Sequence, residues 1–510
     1  MRAVPSQRMP IPEVAECALL GASRLLAAGA LLLLGVLLLL GRRSLSFDEL
    51  FAAHVASLPA WDLPQFVYRH DAHPPLYSLL LRIWIAVFGS AEVALRAFSA
   101  LAGLVALGAV ARLGSALAPG AGPASALWLL TSPLFLVASV EATRYALLGA
   151  LFALAALETW RTVLDPGRRP WRLAVLLGAL LYTHSLGAVF CAALGGFAVW
   201  HGSPKARLRF LTAAALAGGA FAPWLPVLWH HLADGRLNPP WRGPLVATLP
   251  LQILHLVGFG GRVLGTASPY LHPAADVPTQ ILLALPVIAA GGFASSAVYR
   301  MDRRMGALLA WCAGLPSAVL LGLSLWTRSL VAYPRYFVFA LPFLAVAAGA
   351  GIVKLREGSG LWRIMGAVVF AALACLSLAS HAEFASHPTA GTGDRKSLVA
   401  SLRARARAGD VVLIYPSWER LAFAYYAPDL RVEIVALGSR RERPDPGRVS
   451  REMGKLAANR ERVWVVEEPP MPPELFDATY RRLVRTHRVT EFREFEGVRA
   501  TLFVRREGRP

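Results

Sequence analysis

The chain has 510 residues, 56% of them hydrophobic and 16% charged, with a formal net charge of +20. Soluble globular chains carry roughly 25% charged residues, so this composition excludes an ordinary soluble protein and indicates a polytopic membrane protein. The basic residues are scattered between apolar runs and form no stripe with interleaved aromatics, which excludes nucleic acid as a partner and leaves membrane topology as their role.

In chain order, apolar windows of helix-spanning length predict membrane helices near 20–41, 92–113, 121–139, 145–164, 171–184, 186–201, 209–230, 278–299, 306–326, 336–354 and 362–380. The first follows a short basic stretch (Arg2, Arg8), is longer than a signal-peptide apolar region and has no small-residue cleavage site behind it, so it reads as a retained helix. Two further apolar stretches, 74–89 and 247–264, could cross the membrane or lie along its surface. The total is therefore eleven to thirteen transmembrane helices.

Short basic loops favour the cytoplasmic side. Loops 165–172, 201–209, 299–304 and 354–363 each hold three Lys or Arg, and all four fall on one side if neither ambiguous stretch crosses. Segment 74–89 then lies at the membrane surface, and 42–91, 140–145, 182–186, 231–277, 327–335 and the chain after 380 face outward. Arg42 and Arg43 break the pattern. The expected localisation is the plasma (inner) membrane, with the candidate site and the C-terminal part facing the periplasm or exterior. Cys17, Cys191, Cys312 and Cys375 lie in or beside apolar segments without a Cys-x-x-Cys pair, so neither a disulfide framework nor a zinc site is indicated.

From about Asp394 the pattern changes. Strand-length apolar runs (Val411–Tyr415, Val432–Val435, Val463–Val466, Ala500–Val504) alternate with helix-like stretches (Ser417–Tyr426, Val449–Arg460, Pro473–Arg485). This predicts a small extramembrane α/β domain over 394–510, behind a membrane part over 1–380. No Gly-rich phosphate loop occurs in it, so its expected role is structural or acceptor-binding. No internal repeat is evident, which argues against transporters built from inverted halves.

Five polar clusters fall in the outward loops. Ser46-Phe47-Asp48-Glu49 offers a general base at the membrane surface, or alternatively a helix start with Asp48 as cap and Glu49 in the first turn. His70-Asp71-Ala72-His73-Pro74-Pro75-Leu76-Tyr77 places histidines just before a proline-initiated helix whose N-terminus could receive a phosphate, or simply an interfacial histidine. Glu141-Ala142-Thr143-Arg144-Tyr145 holds two charges three residues apart that could pair with each other, although charges at membrane-helix ends are expensive and tend to be functional. Tyr182-Thr183-His184-Ser185 and Tyr333-Pro334-Arg335-Tyr336 complete the set, with Arg335 suited to a bidentate phosphate contact.

The order Phe-Asp-Glu, His-x-x-His-Pro-Pro-Leu-Tyr, Glu-Ala-x-Arg-Tyr-Ala-Leu, Tyr-Thr-His, Pro-Arg-Tyr resembles the C-type (GT-C) membrane glycosyltransferases over about residues 20–380. Within these it is most similar to the group of protein O-mannosyltransferases and lipid A aminoarabinose transferases. The resemblance implies a GT-C-like all-α membrane core with a polyprenyl-phosphate sugar as donor and a lipid, glycan or protein hydroxyl or amine as acceptor. Position by position, Asp48 matches the essential acidic residue and Glu141 the second one, while His73 leads into a juxtamembrane helix. The family often carries aspartate where this chain has Glu141, and a second tyrosine where it has Ser78, so the identity of the substrate stays open.

On that reading Asp48 deprotonates the acceptor, Glu141 orients the acceptor or assists Asp48, and Arg335, Arg144 and His73 stabilise the departing phosphate. Tyr77, Tyr145, His184 and Tyr336 belong to the same motifs and complete the expected donor- and substrate-binding set. No cofactor is required by a monophosphate leaving group; a divalent metal could use Asp48 and Glu49. The competing reading is a transporter or flippase of a lipid-linked or anionic substrate, which would place ionisable residues near the bilayer midplane rather than at helix ends on one side.

Overall fold

A computed structural model of the chain describes residues 27, 29–36, 43–233, 249–260, 277–327, 334–386, 393–438, 445–458, 460–468 and 471–506. The membrane part comprises helices α1 (29–36), α2 (Phe47–Ser57), α3 (Leu63–His70), α4 (Leu76–Phe88), α5 (Glu92–Leu117), α6 (Ala121–Thr131), α7 (Pro133–Val140), α8 (Tyr145–Leu164), α9 (Trp171–Thr183) and α10 (Gly187–His201). It continues with α11 (Pro204–Phe221), α12 (Leu225–Ala233), α13 (Leu249–Phe259), α14 (Val277–Met301), α15 (Arg303–Trp326), a 3-10 turn Pro334–Ala340, α16 (Leu341–Glu357) and α17 (Gly360–Ser386).

Among the described residues seven helical runs are long and apolar enough to cross a membrane: α5, α8, Pro204–Ala233, α14, α15, Arg335–Glu357 and α17. The protein is thus a multi-pass membrane protein. The stretch expected as one helix over 121–139 is instead two, α6 and α7, bent by 72°. Pro133 is the cause: its ring and missing N–H disfavour helix at the preceding residue, and Ser132 is extended at ψ 118°. Helices α9 and α10, with 13 and 15 residues, form where spans were expected but are short for a ~30 Å hydrocarbon core. Most of the expected first span, and the ends of the stretch 247–264, lie outside the described residues. The last membrane helix, α17, runs to Ser386, beyond the expected boundary at 380.

The four basic loops become short turns between consecutive helices: α8–α9, α10–α11, α14–α15 and α16–α17. Asp302 illustrates how they close, its Oδ1 accepting from the backbone N–H of Arg304 and Met305 at 2.8 and 3.1 Å to cap α15. The loop 42–91 folds into α2, α3 and α4. Helix α4 is 13 residues long, with Leu79, Ile83 and Val87 exposed along one face and Tyr77, Ser78 and Leu81 buried on the other. Its length and its apolar outer stripe suit a helix lying along the membrane surface.

The C-terminal part contains α18 (Arg395–Arg405), β1 (Val411–Tyr415), α19 (Arg420–Tyr426), β2 (Glu433–Ala436), α20 (Pro446–Ala458), β3 (Arg462–Glu467), α21 (Pro473–Phe476), α22 (Arg482–Thr486), β4 (His487–Phe495) and β5 (Val498–Arg505). Strand order is β2-β1-β3-β5-β4, parallel around β1 and antiparallel beyond β3. Val411 pairs with Val463 and Leu413 with Val465. The period-two alternation sends Val411, Leu413 and Val463 toward Val449, Leu475 and Leu483 on one face. Val412, Ile414 and Trp464 go to the other, where they share a core with Leu398 and Phe423 and with Leu45, Leu50, Tyr77 and Leu95 of the membrane part.

Candidate functional site

Helix α2 decides the geometry. Ser46 caps it, its Oγ accepting from Glu49 N at 3.3 Å while Glu49 Oε2 accepts from Ser46 N at 2.9 Å, a reciprocal capping box. Successive helical residues project about 100° apart, so the adjacent carboxylates Asp48 and Glu49 face different surroundings.

Asp48 Oδ2 accepts from Arg335 Nη1 at 2.5 Å, and the aspartate side chain is 34% exposed. Glu49 is fully buried. Its Oε1 accepts from Arg96 Nε at 2.8 Å and Ala142 N at 3.0 Å, and its Oε2 from Arg96 Nη2 at 3.0 Å. Burial pushes the Glu49 carboxyl up, but the guanidinium groups of Arg96 and Arg43 and the Ser46 N–H outweigh it and hold it at about 2. The expectation that Asp48 and Glu49 could share a metal is therefore corrected: Glu49 has its oxygens committed to protein donors, and the two carboxylates diverge. Among the described residues no group of three His, Cys, Asp or Glu gathers as a metal site.

Glu141, the second expected acidic residue, accepts from Arg43 Nη2 at 3.2 Å, and Arg43 Nη2 also lies 3.8 Å from Glu49 Oε2. Arg43, an exception to the charge bias in the sequence, thus joins two buried carboxylates. The local pairing of Glu141 with Arg144 does not form. Arg144 instead forks onto Asp71, with Nη1 and Nη2 at 3.4 and 3.2 Å from the two carboxylate oxygens.

Asp71 also accepts from His73 N at 3.0 Å, fixing the loop ahead of α4. The His73 and His184 rings lie 4.2 Å apart, and Ser185 Oγ is 3.2 Å from His73 Nδ1. His184 Nδ1 accepts from Leu186 N at 3.0 Å, so the hydrogen of its neutral ring sits on Nε2. That Nε2 is buried and has no partner among the described residues. Both imidazoles are held well below the usual histidine range by burial, with Arg144 and Arg335 adding to this at His73, and His73 and Arg144 at His184. They are neutral at pH 7.

Tyr145 and Tyr336 complete the cluster. Their ring centroids are 6.0 Å apart, the Arg335 guanidinium lies 5.6 Å from the Tyr145 ring centre, and the Tyr336 ring is 6.2 Å from that of His184. Tyr77 does not line this site; it is 1% exposed and packs against Phe98 in the core. The structure thus brings Asp48, His73, Arg144, Tyr145, His184, Arg335 and Tyr336 together through direct contacts, each from a helix end or a connecting turn.

Sequence reasoning gave no role to Arg43 and Arg96, nor to Asp71 and Ser185, which stand inside two of its polar clusters. Arg96 carried a signal, being one of two arginines, with Arg112, in the apolar helix α5; Arg43 lies 98 positions from Glu141, Asp71 lies 73 from Arg144, and Ser185 lies 112 from His73. A cavity of about 580 Å³ is lined largely by apolar side chains that include Leu32, Val36, Leu134, Leu256 and Phe384. The Arg43 guanidinium sits 5.8 Å from the ring centre of Phe384, one of these lining residues.

Residues 72–230 match the family model described as dolichyl-phosphate-mannose-protein mannosyltransferase. The segment holds His73, Glu141, Arg144 and His184 but neither Asp48 nor Arg335. No curated protein matches the chain by sequence. Among solved structures it is similar to ArnT from Cupriavidus metallidurans in the apo state, at 15% identity and TM-score 0.58, covering 95% of this chain and 98% of that one. The undecaprenyl-phosphate-bound form of that protein gives 15% identity and TM-score 0.57 over 94% and 97%. Arabinofuranosyltransferase AftD from mycobacteria gives 15% and TM-score 0.52 over 94% of this chain but 40% of the other. The fold is that of a C-type membrane glycosyltransferase, with the C-terminal sheet domain included in the overlap with ArnT.

Proposed function

We propose that the protein transfers a sugar from a polyprenyl-phosphate donor to an acceptor hydroxyl or amine on the outer face of the membrane. The observation that carries this reading is the pair Asp48–Arg335, a part-exposed carboxylate bonded to a guanidinium beside two neutral histidines and two tyrosines. The family model, and the undecaprenyl phosphate bound by the structurally similar ArnT, support a lipid-phosphate donor. So does the apolar cavity, which offers room for an isoprenoid tail.

In the chemistry this arrangement favours, the acceptor oxygen or nitrogen attacks the anomeric carbon as Asp48 takes its proton. The bond from that carbon to the phosphate oxygen breaks, and the polyprenyl phosphate leaves with the electron pair. A single displacement of this kind inverts the anomeric centre. Arg335 stabilises charge that is present in the donor and grows in the transition state. Because Arg335 donates to Asp48, an arriving phosphate competes for the guanidinium and frees the carboxylate to act as base. His184 Nε2–H is a donor in need of an acceptor, which a sugar hydroxyl can supply. Glu141 is held by Arg43 and acts on the reaction through position and charge.

The test is incubation of the purified protein in lipid with a panel of radiolabelled polyprenyl-phosphate sugars and candidate acceptors. Transfer of label from one donor, lost in Asp48→Asn, is the expected result. Passage of labelled lipid across the bilayer without glycosidic-bond formation would instead identify a transporter.

A further inference from the structure

The C-terminal domain grips the four residues that lead into Asp48. Tyr426 Oη accepts from Leu45 N at 2.7 Å and donates to Glu92 Oε1 at 2.7 Å. Lys396 Nζ holds the other oxygen of Glu92 at 2.7 Å, and Lys396 N donates to Ser44 Oγ at 3.1 Å. Trp418 lies against Phe47, their ring centroids 5.2 Å apart. Beneath these contacts Leu45, Leu50 and Ala53 share a buried core with Leu398, Ala422 and Phe423.

The place of contact on the α/β domain is informative. Chain order around the parallel strands runs outward from β1 to β2 on one side and to β3 on the other. The carboxyl ends of β1 and β3 therefore mark a topological switch point, where open α/β sheets ordinarily hold a ligand. Here Trp418 follows β1, Glu468 follows β3, and Trp418 Nε1 donates to Glu468 Oε2 at 3.1 Å. Arg395 closes the same corner on Glu419 and Glu468, at 2.7 and 3.3 Å. The indole held there meets Phe47, the residue before Asp48.

We infer that the C-terminal domain is a positioning element for the proposed base. Tyr426 is its central residue, fixing the backbone at Leu45 and, through the Ser44–Phe47 segment, the place of Asp48 opposite Arg335. This rests on the reading of Asp48 as base. The amide of Leu45 has its partner in a hydroxyl supplied 381 positions later, so the local sequence alone does not set this segment. Misplacing a reacting group by about 1 Å can cost on the order of 10²-fold in rate.

The test uses the full-length protein in lipid and three variants, Tyr426→Phe, Asp48→Asn and Arg403→Ala. Tyr426→Phe keeps the ring and removes only the hydroxyl. It is expected to lower kcat about 10- to 100-fold while the KM for the donor stays within about twofold. Arg403→Ala alters an exposed ion pair of the same domain with Asp429 and is expected to leave both constants unchanged. Hydrogen exchange supplies a readout independent of turnover: in Tyr426→Phe the Leu45 amide should exchange about tenfold faster, with helix α8 unaltered. Unchanged exchange at Leu45, or an unchanged kcat alongside an inactive Asp48→Asn, overturns the positioning role. Full activity in Asp48→Asn overturns the reading of the base instead, so the two failures are distinguishable.

Discussion

Arg335 Nη1 lies 2.5 Å from Asp48 Oδ2, joining residues 287 positions apart in the chain. The contact is partly exposed, with side chains 17% and 34% open to solvent, so it adds little to stability. Replacing Asp48 by Asn is expected to shift unfolding by no more than about 1 kcal/mol and to reduce turnover about 10²–10⁴-fold, the contribution of a positioned base. Thermal unfolding and single-turnover assays on one preparation check both halves.

Arg335→Ala should differ in kind. Phosphate charge is present in the bound donor and increases as the bond breaks, so the variant should raise the donor KM and lower kcat together. A variant with raised KM and normal kcat would confine Arg335 to ground-state binding.

Glu49 predicts the opposite balance from its neighbour. Glu49→Gln leaves Arg96 buried without its counter-charge, which costs about 3–5 kcal/mol, enough to lower the melting temperature in detergent by many degrees. Glu49→Gln/Arg96→Met removes both charges and should recover much of the loss. If Glu49→Gln melts like the parent, the buried ion pair does not hold the loop to α5.

Acidification provides a further check. His73 and His184 are held well below the usual histidine range in the folded protein. Below about pH 6.5 the unfolded chain takes up protons that the folded one refuses, so stability should fall as pH drops through that point. His73→Gln is expected to flatten the slope of melting temperature against pH between about 7 and 5. A slope equal to the parent's would show that this imidazole protonates freely in the folded state.

Orientation is testable with thiols. In a background lacking the exposed Cys375, Asp429→Cys should react in whole cells with an impermeant maleimide, whereas Ser203→Cys should react only after lysis. The reverse pattern would put Asp48 on the cytoplasmic side and end the proposal for an outward-facing reaction.

The membrane class, most helix positions and four of the five strands were legible because apolar length and period are local properties. Strand β4 escaped because His-Arg-Val-Thr-Glu-Phe-Arg-Glu-Phe carries the charges of a sheet edge and so lacks an apolar run. The break at Ser132 had a visible cause in Pro133, yet the hydropathy of 121–139 masked it. In the site, residue types and order pointed to Asp48, His73, His184 and Arg335. They could not show that Asp48 and Glu49 part company. That depends on Arg96, 47 positions after Glu49, and on Arg43, 98 before Glu141. Nor could they show that Arg144 prefers Asp71, 73 positions earlier, to the nearby Glu141.

The two anchorages of the Ser44–Glu49 segment become available at different moments of synthesis. Arg96 follows Glu49 within 47 residues, so the ion pair can close while the ribosome is still making the remaining helices. Tyr426 and Lys396 arrive only after all the described membrane helices have been translated, and chains fold from the N-terminus as they emerge. The reactive end of α2 is therefore built early and brought into register last. A nascent or prematurely ended chain would have Glu49 anchored on Arg96 while the Ser44–Phe47 segment still lacks its Tyr426 and Lys396 contacts.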